Sequence, residues 1–117
     1  MSGNYYYHYS THENISAMAQ SGQIFPSTNT QTDALLGQGV YLTSKPPQTS
    51  DVNLSRNNYN GAAPTHDKRL EAYIRIPKDQ LPEVSCLRNG RNVCVNPEGI
   101  DLRKVDYKTG DRARYGR

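Results

Sequence analysis

Residues 5–14 read "YYYHYSTHEN", and the fold turns on how this run is taken. In an extended strand, successive side chains point to opposite faces. Tyr5, Tyr7 and Tyr9 then share one face, and Tyr6, His8 and Ser10 share the other. Thr11 follows, a residue type that caps helices, and Ile15, Met18 and Ala19 keep the i, i+3, i+4 spacing of an amphipathic helix. Gly22 suits the C-terminal stop. The run therefore predicts a strand passing directly into a helix over residues 12–21. Taken alone, the strand leaves two readings for His8 and Ser10: a polar sheet edge, or the floor of a cleft.

Downstream, "QIFPSTNTQTDALLGQ" reads as a polar loop, in which Asp33 pins the chain before Gly37. "GVYLT" (39–43) is a short apolar strand entered through Gly37 and Gly39. The stretch from Ser44 to Arg69 is too polar and turn-rich for core, with one helical turn expected at 51–56. "LEAYIRIP" (70–77) alternates Leu70, Ala72, Ile74 and Ile76 against Glu71, Tyr73 and Arg75, and Pro77 ends it. "GRNVCVNP" (90–97) predicts a strand with Val93 and Val95 on one face and Cys94 on the other. "GIDLRKVDY" (99–107) is expected to add the last strand. The fold class is α+β: mostly strand, one helix near the start, and long loops.

At 117 residues the chain is expected to form one domain. Its mean hydropathy of -0.86 implies a thin core and a polar surface. Nine of the aromatics are tyrosine, one is phenylalanine and none is tryptophan, so part of the aromatic set can line a wet cleft. No apolar run approaches the roughly 20 residues of a membrane span, and the start lacks the basic segment and apolar stretch of a signal peptide. Of the fourteen Lys and Arg, only Lys45 lies in residues 1–50, against two acids there, so the whole chain's net charge of +3 comes from the second half, with thirteen bases and nine acids. The tail "KTGDRARYGR" is the most basic stretch, a solvated surface or a site for phosphate-bearing partners. Cys86 and Cys94 form no CxxC pair, which argues against zinc. A disulfide closing a hairpin and two free buried thiols both remain open. His12 and His66 read as a helix-start and a loop residue, not as metal ligands.

In order and spacing, "YHYSTHENISAMAQSGQIFPS" and "DALLGQGVYLT", followed by "PP", resemble the ADP-ribosyltransferase superfamily. The resemblance is closest to the toxin-type branch with a His-Tyr-Asp signature, itself similar to the rifampin-modifying transferases. It covers residues 5–47 well and reaches "LEAYIRIP" and "GRNVCVNPEGIDL" more loosely. It implies a small split β-sheet fold and NAD⁺ as cofactor. His8 would hydrogen-bond the adenosine-side ribose, and the Tyr9 backbone would hold the nicotinamide amide. Ser10 would support that pocket, and Tyr41 would stack on the nicotinamide ring. Gly37 and Gly39 would allow close approach. An acid on or after a later strand would bind the nicotinamide-side ribose and stabilise its cation. Glu83 and Asp79, after "AYIRIP", rank ahead of Glu98 and Asp101 for that role.

The resemblance further implies a mono-ADP-ribosyltransferase toxin domain that cleaves NAD⁺ and transfers ADP-ribose to a macromolecular acceptor, protein or RNA. Such domains are secreted or injected as parts of bacterial polymorphic toxins and act as effectors in the target-cell cytoplasm. A cognate immunity protein, no membrane partner and a monomeric state are expected. Two alternatives stand beside it. One is a non-catalytic NAD⁺-binding relative. The other is a basic nucleic-acid-binding module using exposed tyrosines for stacking, although no helix-turn-helix or RNA-recognition strand pattern is visible.

Overall fold

The structure, a computed structural model, describes residues 4–25, 39–49, 53, 70–86 and 93–112. Asp33, Gly37, His66, the expected turn at 51–56 apart from Asn53, and the end of the basic tail lie outside the described residues. In chain order the elements are β1 (Tyr5–Ser10), α1 (His12–Ser21), β2 (Gln23–Ile24), β3 (Val40–Leu42), β4 (Ala72–Pro77), β5 (Ser85–Cys86), β6 (Cys94–Asn96), β7 (Ile100–Asp101) and β8 (Lys108–Asp111). Short 3-10 turns follow β4 at Lys78–Gln80 and β7 at Leu102–Lys104.

The helix begins and ends as its sequence dictates. Thr11 Oγ1 accepts from the Asn14 N–H at 3.1 Å, satisfying a donor the first turn leaves free. Gly22 takes the left-handed conformation at φ 74° and donates its N–H to the Met18 carbonyl at 2.9 Å. Ile15 is buried and Met18 packs partly buried against the same core.

Among the described residues, all strand pairing is antiparallel, in the orders β1-β4-β8, β3-β6-β5 and β2-β7. Across β1 and β4, Tyr6 faces Ile76, His8 faces Ile74 and Ser10 faces Ala72. Ala72, Ile74 and Ile76 are the buried alternate positions of β4, and with Ile15, Ile24, Val40, Leu42, Ile100 and Leu102 they form the main core. Tyr7, Tyr9 and Leu70 make a second buried cluster on the opposite face, with Tyr5 and Tyr73 packed against it. The parity expected at "YYYHYS" thus separates two packing layers, and α1 belongs to the layer on the His8 side.

Three expectations need correction. The segment 99–107 does not supply the last strand. Only Ile100 and Asp101 are extended, paired with β2, before the chain tightens into a 3-10 turn. Asp101 causes the turn, its carboxylate accepting from both the backbone N–H and the side chain of Arg103. The last strand is β8, within the polar tail, where no apolar alternation announces it. It adds to β4 by backbone pairing, with Gly110 opposite Tyr73. Gln23 and Ile24, read as loop, are a strand because β7 offers them a partner.

Cys86 and Cys94 are directly opposed across β5 and β6 and joined in a disulfide, which settles the alternative left open above. A bridge closing so short a loop is worth about 2–3 kcal/mol on the chain-entropy account. Cys86→Ser/Cys94→Ser is therefore expected to lower the unfolding free energy by about that amount in urea titration. A double variant that unfolds at the same urea concentration as wild type would show that the bridge adds nothing to the stability of the fold.

Candidate functional site

β1 and β3 meet through a single pair of backbone bonds. Tyr7 N–H donates to the Thr43 carbonyl at 2.7 Å, and Thr43 N–H donates to the Tyr7 carbonyl at 3.0 Å. One register step on, Tyr9 would stand against Tyr41, but the bridge at Tyr7 and Thr43 is isolated. The two sheets separate from that point. The β1–β4 register runs unbroken from Tyr5 to Ser10. Along a strand, backbone groups of residues two apart point the same way. The Tyr9 N–H and C=O therefore turn into the gap, with no bonding partner among the described residues.

His8 reaches across this gap. Its Nδ1 lies 2.9 Å from the Tyr41 carbonyl oxygen. A carbonyl only accepts, so Nδ1 carries the proton and donates. In the neutral ring Nε2 then keeps its lone pair and is an acceptor. Desolvation lowers the His8 pKa, and the bond to Tyr41 opposes that shift without cancelling it. The ring is held neutral near pH 7, in one tautomer and one orientation.

The structure thus brings His8 to Tyr41, but to its main chain. The Tyr41 ring, half-buried between buried Val40 and Leu42, points to the other face of β3, the face it shares with Val95. Ser10 Oγ accepts from Asn14 Nδ2 at 3.1 Å, leaving its own proton to donate. Gly39 sits against β6, where an added Cβ would overlap the Val95 side chain and the Asn96 carbonyl. Its missing side chain therefore serves the approach of β3 to β6.

The four candidate acids lie in separate turns. Asp79 is exposed in the 3-10 turn after β4, and Glu83 is exposed two residues before β5. Glu98 is exposed just after β6, its N–H held by Asn96 Oδ1 at 3.1 Å. Asp101 is half-buried and engaged by Arg103, whose hydrogen bonds hold its carboxyl below the usual carboxylate range. His12, read as a helix-start residue, also bridges two acids. Its Nε2 lies 2.8 Å from Asp111 and its Nδ1 lies 3.3 Å from Glu71. The Asp111 bond, with Glu71 assisting, raises its pKa. Among the described residues, no group of His, Cys, Asp and Glu is placed to hold a metal ion.

Sequence reasoning missed the buried cation behind the site. Arg112, 2% exposed, donates to the carbonyls of Pro47 at 3.2 Å, Leu70 at 2.9 Å and Thr49 at 2.6 Å. Its guanidinium lies 5.9 Å from the centre of the Tyr9 ring, whose hydroxyl donates to the Lys45 carbonyl at 2.7 Å. Burial pushes the Tyr9 phenol far above its ordinary pKa, with Arg112 opposing. Together these groups tie the chain that leaves β3 to the back of β1. A lone arginine in a basic tail carries no sequence signal for this role.

Antiparallel sheets that part beside an oriented, neutral histidine, with a strand-to-helix entry at the same point, make a small α+β domain consistent with the fold that the sequence resemblance implies. Residues 6–106 match the family described as "HYD1 signature containing ADP-ribosyltransferase". The chain belongs to this family of ADP-ribosyltransferase toxins. No curated protein and no solved structure matches it. Among the described residues, no helix is long and apolar enough to cross a membrane.

Proposed function

We propose that this single domain binds NAD⁺ in the gap between β1 and β3, cleaves its nicotinamide–ribose bond and transfers ADP-ribose to a macromolecular acceptor. The observation that carries this reading is the pair of backbone groups of Tyr9 turned into the gap. A primary carboxamide carries two N–H donors and a carbonyl acceptor; Tyr9 offers a carbonyl for one of the donors and an N–H for the acceptor. The nicotinamide amide fits that pair. His8 Nε2, an acceptor fixed by the Tyr41 carbonyl, suits a ribose hydroxyl, and the Ser10 hydroxyl can donate into the same pocket. Tyr41 serves the site through its main-chain carbonyl, which orients His8, while its ring lies on the other face of β3, so the stacking role expected for it is not part of this reading; Gly39 shapes the entry to its strand.

Bond cleavage builds positive charge at the anomeric carbon, as in glycoside hydrolysis. A carboxylate must stabilise it, and Glu83 and Asp79 remain the favoured candidates, with Glu98 and Asp101 behind them. Asp101 has the weakest claim, because Arg103 already neutralises its carboxylate. The family supports delivery into a target cell and action on an acceptor; a protein or RNA acceptor and a cognate immunity protein complete the proposal.

The test is release of nicotinamide from labelled NAD⁺, with target-cell lysate separated afterwards into protein and RNA. Each of Glu83, Asp79, Glu98 and Asp101 is changed in turn to its amide. One substitution is expected to cut the rate at least tenfold at nearly unchanged NAD⁺ affinity, because the amide keeps a hydrogen bond and loses the charge. Tight NAD⁺ binding with no nicotinamide release by the wild-type protein would leave a non-catalytic NAD⁺-binding domain.

A further inference from the structure

The face of the first sheet turned away from His8 has a composition that the NAD⁺ reading does not use. Reading across the three strands, Tyr9 is paired with Tyr73 and Gly110, Tyr7 with Arg75 and Lys108, and Tyr5 with Pro77. Tyr7 and Tyr9 are buried, stacked with ring centres 6.0 Å apart at 17°. Tyr73 packs its edge against Tyr7 at 5.7 Å. Its ring lies over Gly110, where any added Cβ would overlap it. The Arg75 guanidinium lies 4.5 Å from the centre of the Tyr5 ring.

Coverage of this face is uneven. Arg112, Leu70 and the chain at 45–49 close the end at Tyr9. Tyr5, Tyr73 and Arg75 stay half-exposed and Lys108 is exposed. Glu71, the nearest carboxylate on this parity, is held by His12 at 3.3 Å. Among the described residues, the open part of the face therefore presents flat π-surfaces beside two cations with no carboxylate between them.

We infer that this face is a docking surface for single-stranded nucleic acid. Unstacked bases find π-partners in Tyr73 and in the guanidinium plane of Arg75 backed by Tyr5. The backbone phosphates find Arg75 and Lys108, and the chain's net charge of +3 favours the encounter. A flat, half-buried aromatic platform suits single strands over duplex, whose bases are already stacked and paired. An acidic protein would be drawn to the same cations, but it has no use for the seated tyrosine rings.

This inference does not rest on the transferase reading. The assay contains no NAD⁺, so either can fail without the other. Fluorescence anisotropy of the whole chain with a labelled single-stranded A/U RNA of about 12 nucleotides, at about 50 mM salt, should show saturable binding stronger than to the matching duplex. Tyr73→Leu should weaken it about tenfold, the scale of one lost base stack. Arg75→Gln/Lys108→Gln changes only partly or fully exposed side chains and should fold normally. It should weaken binding and reduce the slope of log affinity against log salt by about 0.7 per cation removed. Three outcomes would overturn the inference: no binding of the single strand; equal binding of duplex with Tyr73→Leu silent; or displacement of the RNA by a glutamate-rich peptide that itself binds with slopes set by the same cations.

Discussion

His8→Ala is expected to reduce nicotinamide release from NAD⁺ by roughly 10²–10³, the scale of one lost preorganised contact in a desolvated site. His8→Asn separates catalysis from folding. An asparagine amide can still donate to the Tyr41 carbonyl, as Nδ1 does at 2.9 Å, but it has nothing at the position of Nε2. The Asn variant should melt close to wild type and lose nearly as much rate as the alanine variant. Near-wild-type rates in a folded Asn variant would remove the Nε2 acceptor from the mechanism.

The pH dependence has a definite sign. The folded pKa of His8 lies below its unfolded value near 6.5, because burial disfavours the imidazolium. Above that value the ring is neutral in both states and adds no pH dependence. As pH falls below it, the unfolded chain takes up a proton that the folded ring refuses, so stability declines until the folded pKa is reached. Turnover should stay flat through the ordinary imidazole range and drop only below the lowered folded pKa. His12 acts in the opposite sense. Its folded pKa is raised, so its contribution is fully present below the unfolded value and fades as pH rises through the folded one. At 54% exposure its bridge to Asp111 and Glu71 is screened by solvent. His12→Gln should therefore leave the His8 acid limb in place.

Arg112→Ala carries the largest expected loss of stability. Its guanidinium serves three main-chain carbonyls from three sequence positions, Pro47, Thr49 and Leu70, while only 2% exposed. Removing it takes the donor from two buried contacts, at Pro47 and Leu70, and from one part-buried contact at Thr49. The loss should be about 3–4 kcal/mol, since each unsatisfied buried group costs about 1–3 kcal/mol. The melting temperature should fall on the order of 10 °C or more. Arg112→Lys should recover little, because one ammonium on a flexible stem cannot replace a planar fork that reaches all three. An alanine variant melting within about 3 °C of wild type, measured against that expected shift, would show that the chain at 45–49 is held by other contacts.

Local patterns gave up what depends on neighbours in the chain. The Tyr5–Ser10 strand, the Thr11 cap, the His12–Ser21 helix, the Gly22 stop and the alternation of Ala72, Ile74 and Ile76 follow from period, capping chemistry and backbone freedom. These operate within a few residues, so the sequence alone determines them. The motif order from His8-Tyr9-Ser10 to the Gly39–Thr43 stretch likewise carried the family, which matches over residues 6–106.

Pairing partners decided the rest. Lys108–Asp111 becomes a strand because β4 presents a free edge, and Gln23–Ile24 because β7 does; neither segment carries a pattern of its own. Cys86 and Cys94 bond because a register places them opposite each other. The site follows the same rule. His8 could be recognised as a candidate from its neighbours, but its tautomer was fixed by a carbonyl from a residue 33 positions away. The turned-in backbone of Tyr9 exists because the β1–β3 ladder stops after one bridge, and Arg112 became structural by finding three carbonyls far from it in the chain. Hydrogen-bond geometry and desolvation belong to pairs brought together in space, so only the tertiary structure could assign them.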